Sequence, residues 1–257
     1  RGLRQKGYPV TMIVHNAVDH EAAPWKTALS RFQLRQADRF VTHNAALAAD
    51  LRQLVPETPI EVSAHPVYDD YPEPRGTLAR EAGLELLFFG LIRPYKGLDL
   101  ALEALAASGR DDVRLSVVGE FWEGRDQIDA LIARLALEDR VTLVPRYVTD
   151  AEAAEYFARS DALVAPYRSA TGSGVVALAQ WYARPVIASD VPGLAEEVED
   201  ARTGWVFPAG DVDALARLLK TDVTRPAAAA LGPALEAQRA HLTWAHFGDV
   251  VLAGVQA

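Results

Sequence analysis

Two short stretches carry residues suited to holding phosphate. The first is Gly172-Ser173-Gly174-Val175-Val176-Ala177, which fits G-x-G-x-x-A, with Asp190 eighteen positions after Gly172. Glycines let an anion approach the backbone closely, and the amides of Ser173, Gly174 and Val175 would fall in the first turn of a helix, where they lack an intrahelical acceptor. The second runs from Gly90 to Gly97, where a strand ends, a turn follows and a helix begins. Arg93 and Lys96 on that turn lie at the carboxyl edge of the sheet, where open α/β folds bind ligands. A lysine just ahead of a helix start opposes the helix dipole at a cost of about 0.3–1 kcal/mol, and a bound phosphate would reverse that sign. Each stretch also has a plainer reading. Lys96 could be a solvated residue on a Pro-Tyr turn, and Gly172–Ala177 a turn with a helix cap.

The glycine pattern leaves two ligands open. In a dinucleotide fingerprint the first glycine follows its strand almost directly, in the first βα turn of the domain. Here Pro166–Thr171 intervene, the unit comes late, and Pro185 cuts the helix short. Asp190 stands at the next strand edge, as a ribose-binding acid would, or caps the turn before Pro192. An NAD(P)-binding oxidoreductase domain is one reading. A nucleoside diphosphate held between both turns is the other.

Such turns need a sheet to position them. Strand-like runs occur at Val10–Val14, Phe40–Thr42, Ile60–Ser63, Leu86–Phe89, Arg114–Val118, Val141–Val144, Ala162–Ala165, Val186–Ala188 and Gly204–Phe207. They are short and apolar on both faces, as buried parallel strands are. Helical patterns alternate with them at Pro24–Gln36, Ala45–Leu54, Leu98–Ala107, Gly124–Leu137, Asp150–Arg159, Val175–Tyr182 and Val212–Lys220. Thr149 and Glu152 form a capping box that marks one helix start. The alternation predicts α/β architecture with doubly wound sheets. The segment Tyr68–Thr77, with two prolines, a glycine and clustered acids, reads as a linker. Residues 1–72 are expected to be the back part of a first Rossmann-like domain whose front half is missing. Residues 73–226 would form a complete second domain. Residues 227–257 would be helical and pack back on the first.

Composition sets limits. The chain has 257 residues, 50% hydrophobic and 24% charged, with net charge -9 and no cysteine. That excludes disulfide and thiol chemistry and allows a reducing cytoplasm. No basic cluster supports nucleic-acid binding. There is no signal-peptide pattern, and no apolar run approaches the ~18 residues of a membrane span. The first residue is Arg1 and the only methionine is Met12, so the chain is expected to begin inside a longer protein.

Four ordered blocks then carry a resemblance: "FFGLIRPYKGLDLALEAL", "VVGEFWEG", "VPRYVTDAEAAEYFARSDALVAPYRSATGSGVVALA" and "RPVIASDVPGLAEEVEDARTGWVFPAGD". They resemble the carboxyl domain of GT-B glycosyltransferases of family 4. "VTMIVHN", "ADRFVTHNAALAADL" and "IEVSAHPV" resemble the end of that family's amino domain. The resemblance implies a GT-B fold of two Rossmann-like domains, the N-terminal one incomplete here. It implies a retaining transfer of a sugar from a UDP- or GDP-sugar to a glycan or lipid-linked acceptor, with no cofactor and no required metal. It implies a bacterial polysaccharide setting in the cytoplasm or at the inner face of the membrane, with any membrane contact made through the missing N-terminal part. By position, Arg93 and Lys96 match the family's cationic pair on the donor diphosphate, which would stabilise the leaving group. Ser173, Gly174 and Val175 match the amides on the distal phosphate. Gly90 matches the glycine that admits the donor to the strand edge, and Tyr147 and Val148 the loop flanking the base. His15 matches the histidine near the transferred sugar; its alternative is a strand-end histidine bonded to a backbone carbonyl.

One departure is large. Many family members carry two glutamates, eight apart, around the phosphate-binding helix. They would fall at Ala170 and Leu178, or at Thr171 and Ala179, and no acid occurs from Arg168 to Ser189. This opens a third reading, a catalytically inactive transferase-like partner. A Ser-Gly variant of the motif is nonetheless similar to that of bacterial polysaccharide transferases. Asp190 and Glu196 are nearby acids able to substitute. Glu196–Arg202 otherwise reads as a solvated face. Phe121 and Trp122 suit either stacking on a base or sugar, or rim packing. Trp25, in His20–Lys26, suits either the acceptor side or packing at a helix start. His15 and His20 have no cysteine and no third ligand-type residue nearby, so no zinc site is expected.

Overall fold

The structure is a computed structural model that describes residues 6–15, 32–66 and 71–253. Two parallel sheets organise it. The first has three strands in the order β1-β2-β3: β1 (Thr11–Val14), β2 (Arg39–Thr42) and β3 (Ile60–Val62). Its small core gathers Val14, Leu34, Phe40, Leu47, Leu51 and Val55, the last three from helix α1 (Ala45–Leu54) and its end. Asn44 caps α1 by accepting from the Leu47 amide.

The second sheet has six strands in the order β6-β5-β4-β7-β8-β9. These are β4 (Leu84–Phe89), β5 (Val113–Val118), β6 (Val141–Val144), β7 (Ala162–Ala165), β8 (Val186–Ser189) and β9 (Gly204–Phe207). All neighbouring pairs are parallel. Both faces of the sheet are buried. Leu84, Leu86 and Phe88 of β4 enter one core cluster while Leu87 enters the other. Val186 and Ala188 of β8 likewise oppose Ile187. Each strand is therefore mostly apolar, and that gives the Val/Ile/Leu-rich runs in the sequence, with Glu85 of β4 and Ser116 of β5 as buried polar exceptions.

Helices α2 (Leu98–Ala107), α3 (Arg125–Arg134), α4 (Asp150–Arg159), α5 (Gly174–Trp181), a short α6 (Pro192–Ala195) and α7 (Val212–Thr221) connect the strands. The capping box at Thr149 and Glu152 is present in both directions. One predicted helix ends early: Ala136 (φ 52) takes a left-handed conformation and closes α3 before Leu137, which the apolar pattern reached, whereas α5 ends within one residue of the predicted Tyr182. The tail forms three helices, α8 (Arg225–Ala230), α9 (Gly232–Arg239) and α10 (Trp244–Ala253). The Arg39 guanidinium donates to the Val250 and Val251 carbonyls at 3.0 and 3.2 Å, so α10 lies against the first sheet. Most of the predicted helix Pro24–Gln36, with His20 and Trp25, lies outside the described residues. No described helix is long and apolar enough to cross a membrane.

Candidate donor site

The strand order of the large sheet reverses between β4 and β7. A crevice opens there at the carboxyl ends of the strands. The turn after β4 carries Gly90, Arg93 and Lys96, and the turn after β7 leads to Ser173 and α5. The two phosphate-suited stretches thus flank one crevice, although they lie about eighty residues apart in sequence.

Local sequence fixes the first turn tightly. Pro94–Lys96 form a 3-10 turn, closed by Gly97 at φ 70. A Cβ on Gly97 would stand 2.1 Å from the Pro166 carbonyl oxygen, so only glycine lets this turn press on the end of β7. From the other side, the Arg168 amide donates to the Tyr95 carbonyl at 2.7 Å and its guanidinium to Pro94 at 2.9 Å. Arg168 also forms a two-point ion pair with Asp99, at 2.9 and 2.6 Å.

Lys96 is the result of this arrangement. It is 7% exposed and makes no ion pair or hydrogen bond through its ammonium among the described residues. Burial, followed by the Arg93 charge, lowers its pKa to about 8. Gly90, at φ 90, lies beneath it: a Cβ there would approach the Lys96 Nζ to 3.3 Å and Val175 Cγ2 to 3.1 Å. Lys96, Tyr167, Ser173, Gly174 and Val175 line one cavity of about 390 Å³, and His65 lines it from the first-sheet side. A buried cation thus shares a cavity with a helix N-terminus, and both attract an anion.

The other predicted residues fall differently. Arg93 stacks on the exposed Trp122, 4.5 Å from the ring centroid, and lines an adjoining cavity of about 550 Å³ with Tyr95 and Asp99. Its Nε is buried without a hydrogen-bond partner. Tyr147 is 76% exposed and Val148 is buried in the core. The Ser173 hydroxyl caps α5 by accepting from Val176, and its amide donates to Glu197 at 3.2 Å. Gly174 and Val175 supply the first-turn amides of α5.

Glu197 is the acid that the sequence pattern did not single out. Desolvation raises its pKa to about 8, so it holds a proton at neutral pH beside Ser173. The acids proposed as substitutes are engaged elsewhere. Asp190 accepts from the Ala209 amide at 2.7 Å. Glu196 is exposed, as expected of that face. Its carboxylate accepts from the Ala45 and Ala46 amides, which caps α1 and ties it to the α6 region. The Asn44 side chain joins the same contact by donating to the Thr171 carbonyl at 2.6 Å.

The alternative reading of His15, a bond to a backbone carbonyl, is corrected, and so is the expectation of no third ligand-type residue nearby. His15 ends β1 as expected, but its Nδ1 lies 3.0 Å from His43 Nε2 rather than on a backbone carbonyl. His65 completes a cluster of three. Ligand-type neighbours are therefore present, brought in by strands distant in sequence. Burial lowers the pKa of His43 to about 4 and lowers that of His65 too, with further help from the neighbouring rings.

A six-stranded parallel sheet with its crevice at the strand-order reversal, beside a second parallel unit, is the arrangement of GT-B glycosyltransferases. Residues 83–221, more than half of the chain, match the family described as "Glycosyl transferases group 1", and the chain belongs to that family. It is 30% identical over 234 residues to the GDP-mannose:glycolipid 4-beta-D-mannosyltransferase of Xanthomonas campestris pv. campestris, covering 90% of this chain and 64% of that protein. It is 31% identical over 206 residues to the D-inositol 3-phosphate glycosyltransferase of Streptomyces scabiei, covering 72% of this chain and 46% of that one. The chain therefore spans less than two thirds of the length of these relatives. Among solved structures it superposes on Anabaena HepE in complex with UDP, with a TM-score of 0.83 at 17% identity over 99% of this chain and 74% of that one. It also superposes on sucrose-phosphate synthase from Thermosynechococcus elongatus, with a TM-score of 0.79 at 22% identity over 99% of this chain and 69% of that one. Family membership displaces the NAD reading. The fold agrees with this, because the glycine turn follows β7, whereas the first strand of the domain is β4.

Proposed function

We propose that the protein transfers a sugar from a nucleoside-diphosphate donor, a UDP- or GDP-sugar, to a glycan or lipid-linked acceptor. The observation that carries this is Lys96, a buried cation without a carboxylate partner among the described residues, which faces the α5 N-terminus across Gly90. In this reading Lys96 sits on the donor diphosphate and stabilises the charge that develops as the glycosidic bond breaks. The Gly174 and Val175 amides hold the distal phosphate, and Gly90 keeps the strand edge open. Arg93 adds positive potential from the adjoining cavity. Tyr147 and Val148 stand at the base end, His15 stands near the transferred sugar, and no cofactor takes part in the transfer. A lipid-linked acceptor would bring the protein to the cytoplasmic face of a membrane.

Retention at the anomeric carbon is the outcome that the family resemblance implies. Inversion is a second reading, because the Xanthomonas relative's name specifies a β-linked mannoside. A β product made from an α-linked sugar nucleotide requires inversion. The test is to incubate the full-length gene product with GDP- and UDP-sugars and a glycolipid acceptor, and to read the new linkage by NMR. An α-linked product from an α-linked donor supports retention, and a β-linked one supports inversion. Tight donor binding without transfer would favour the inactive-partner reading.

A further inference from the structure

The three histidines lie together for a topological reason. β1, β2 and β3 are adjacent, parallel and in register, with Val14 opposite Thr42 and Thr42 opposite Val62. His15 and His43 directly follow their strands and His65 follows β3 by three residues, so their side chains converge at one sheet edge. One nitrogen from each ring lies within 4.8 Å of the others. A tetrahedral ion with Zn–N bonds of about 2.0–2.1 Å sets its ligand nitrogens about 3.4 Å apart. The His15–His43 pair already stands at 3.0 Å. Metal entry needs the third ring to swing in by an ångström or so.

The outer contacts match what a ligand set needs. His43 Nδ1 faces the Ser63 carbonyl at 3.3 Å and His65 Nδ1 faces the Pro66 carbonyl at 2.8 Å. A carbonyl can only accept, so both Nδ1 atoms carry the proton and both Nε2 atoms carry the lone pair. Metal-binding histidines are oriented in this way. Phe247 stacks on His43 with ring centroids 5.7 Å apart, which fixes that ring from behind.

We propose that His15, His43 and His65 form a site for a divalent transition metal of the zinc class, with its fourth position open toward the Lys96 cavity. Three imidazoles and no carboxylate suit zinc and disfavour magnesium or calcium, which take oxygen ligands. The open position follows from placement. His15 is exposed, and His65 lines the cavity, its Cε1 4.0 Å from where a Cβ on Gly174 would stand. The site does not depend on the nucleotide reading, because metal binding is read with no nucleotide present.

The test is calorimetric titration of the metal-stripped chain with ZnCl2, with Co2+ substitution followed by visible absorption. One equivalent of Zn2+ should bind, and Co2+ should give the strong absorption of a tetrahedral complex. His15→Ala, at an exposed position, should keep the melting curve and weaken Zn2+ binding on the order of 100-fold or more. His241→Ala, which disrupts the other histidine pair (rings 5.1 Å apart), should leave it unchanged. Absence of Zn2+ binding, binding that survives His15→Ala, or binding lost in His241→Ala would each overturn the proposal.

Discussion

Replacing Lys96 with methionine should make the free protein more stable while removing its donor site. Methionine keeps the length and approximate volume of the side chain but drops the charge. The Lys96 pKa falls from its ordinary 10.5 to about 8, chiefly through burial. At roughly 1.4 kcal/mol per unit, holding the charged form in the folded protein costs about 3 kcal/mol at neutral pH, which is the upper bound of the gain. The sign follows from proton counting. Between about 8 and 10.5 the unfolded chain binds this proton and the folded chain does not, so wild-type stability rises with pH across that window. Lys96→Met lacks that rise. Its advantage should therefore be full below pH 8 and close toward pH 10.5. In a protein of this size each kcal/mol moves Tm by roughly 2–4 °C, so melting curves across the pH range resolve the effect. UDP or GDP affinity should fall by more than the roughly 1 kcal/mol of an exposed ion pair. A variant no more stable than wild type at neutral pH, or an advantage that does not narrow as pH rises, would refute the burial argument.

Three further substitutions probe the same crevice. Gly90→Ala forces a side chain into a φ of 90 and against the Lys96 ammonium; it should weaken nucleotide binding at least tenfold, as read by calorimetry, with a stability loss on the order of 1–3 kcal/mol. Arg168→Ala removes the guanidinium bond to the Pro94 carbonyl and the ion pair with Asp99 but keeps the amide bond to Tyr95; because the ion pair is well exposed, stability should change by less than about 1 kcal/mol while donor affinity drops. Glu197 keeps its proton up to about pH 8 when folded but loses it near 4.5 when unfolded, so wild-type stability should fall as pH rises through that window. Glu197→Gln mimics the protonated form and should flatten the slope, which denaturant midpoints across the window would show.

The sheets were readable because their physics is local. A strand buried on both faces is mostly apolar, and Ala162–Ala165 and Gly204–Phe207 occupy the residues that the apolar runs mark, as does the edge strand Val141–Val144 with its exposed Thr142. Helix starts were legible where a side chain caps them, as at Thr149 and Ser173. The helix end at Ala136 was not, because alanine gives no sign of a left-handed backbone. Lys96 was legible as a cation on a turn, but its burial depends on Gly97 pressing against Pro166, a contact across 69 residues. Glu197 reaches Ser173 across 24 residues and left no spacing to detect. The histidine cluster did leave a sign. Three histidines each follow a strand of one parallel unit closely, and parallel strands in register gather their carboxyl ends. Reading His15 with His20, its neighbour in sequence, hid that pattern.

The most direct test of the account is calorimetric titration of the chain with UDP, GDP, ADP and NAD, repeated on Lys96→Ala. The account predicts that UDP or GDP binds and that the substitution abolishes binding, because the diphosphate would rest on the buried Lys96 ammonium. NAD binding that Lys96→Ala leaves untouched, or UDP and GDP binding indifferent to that change, would contradict it.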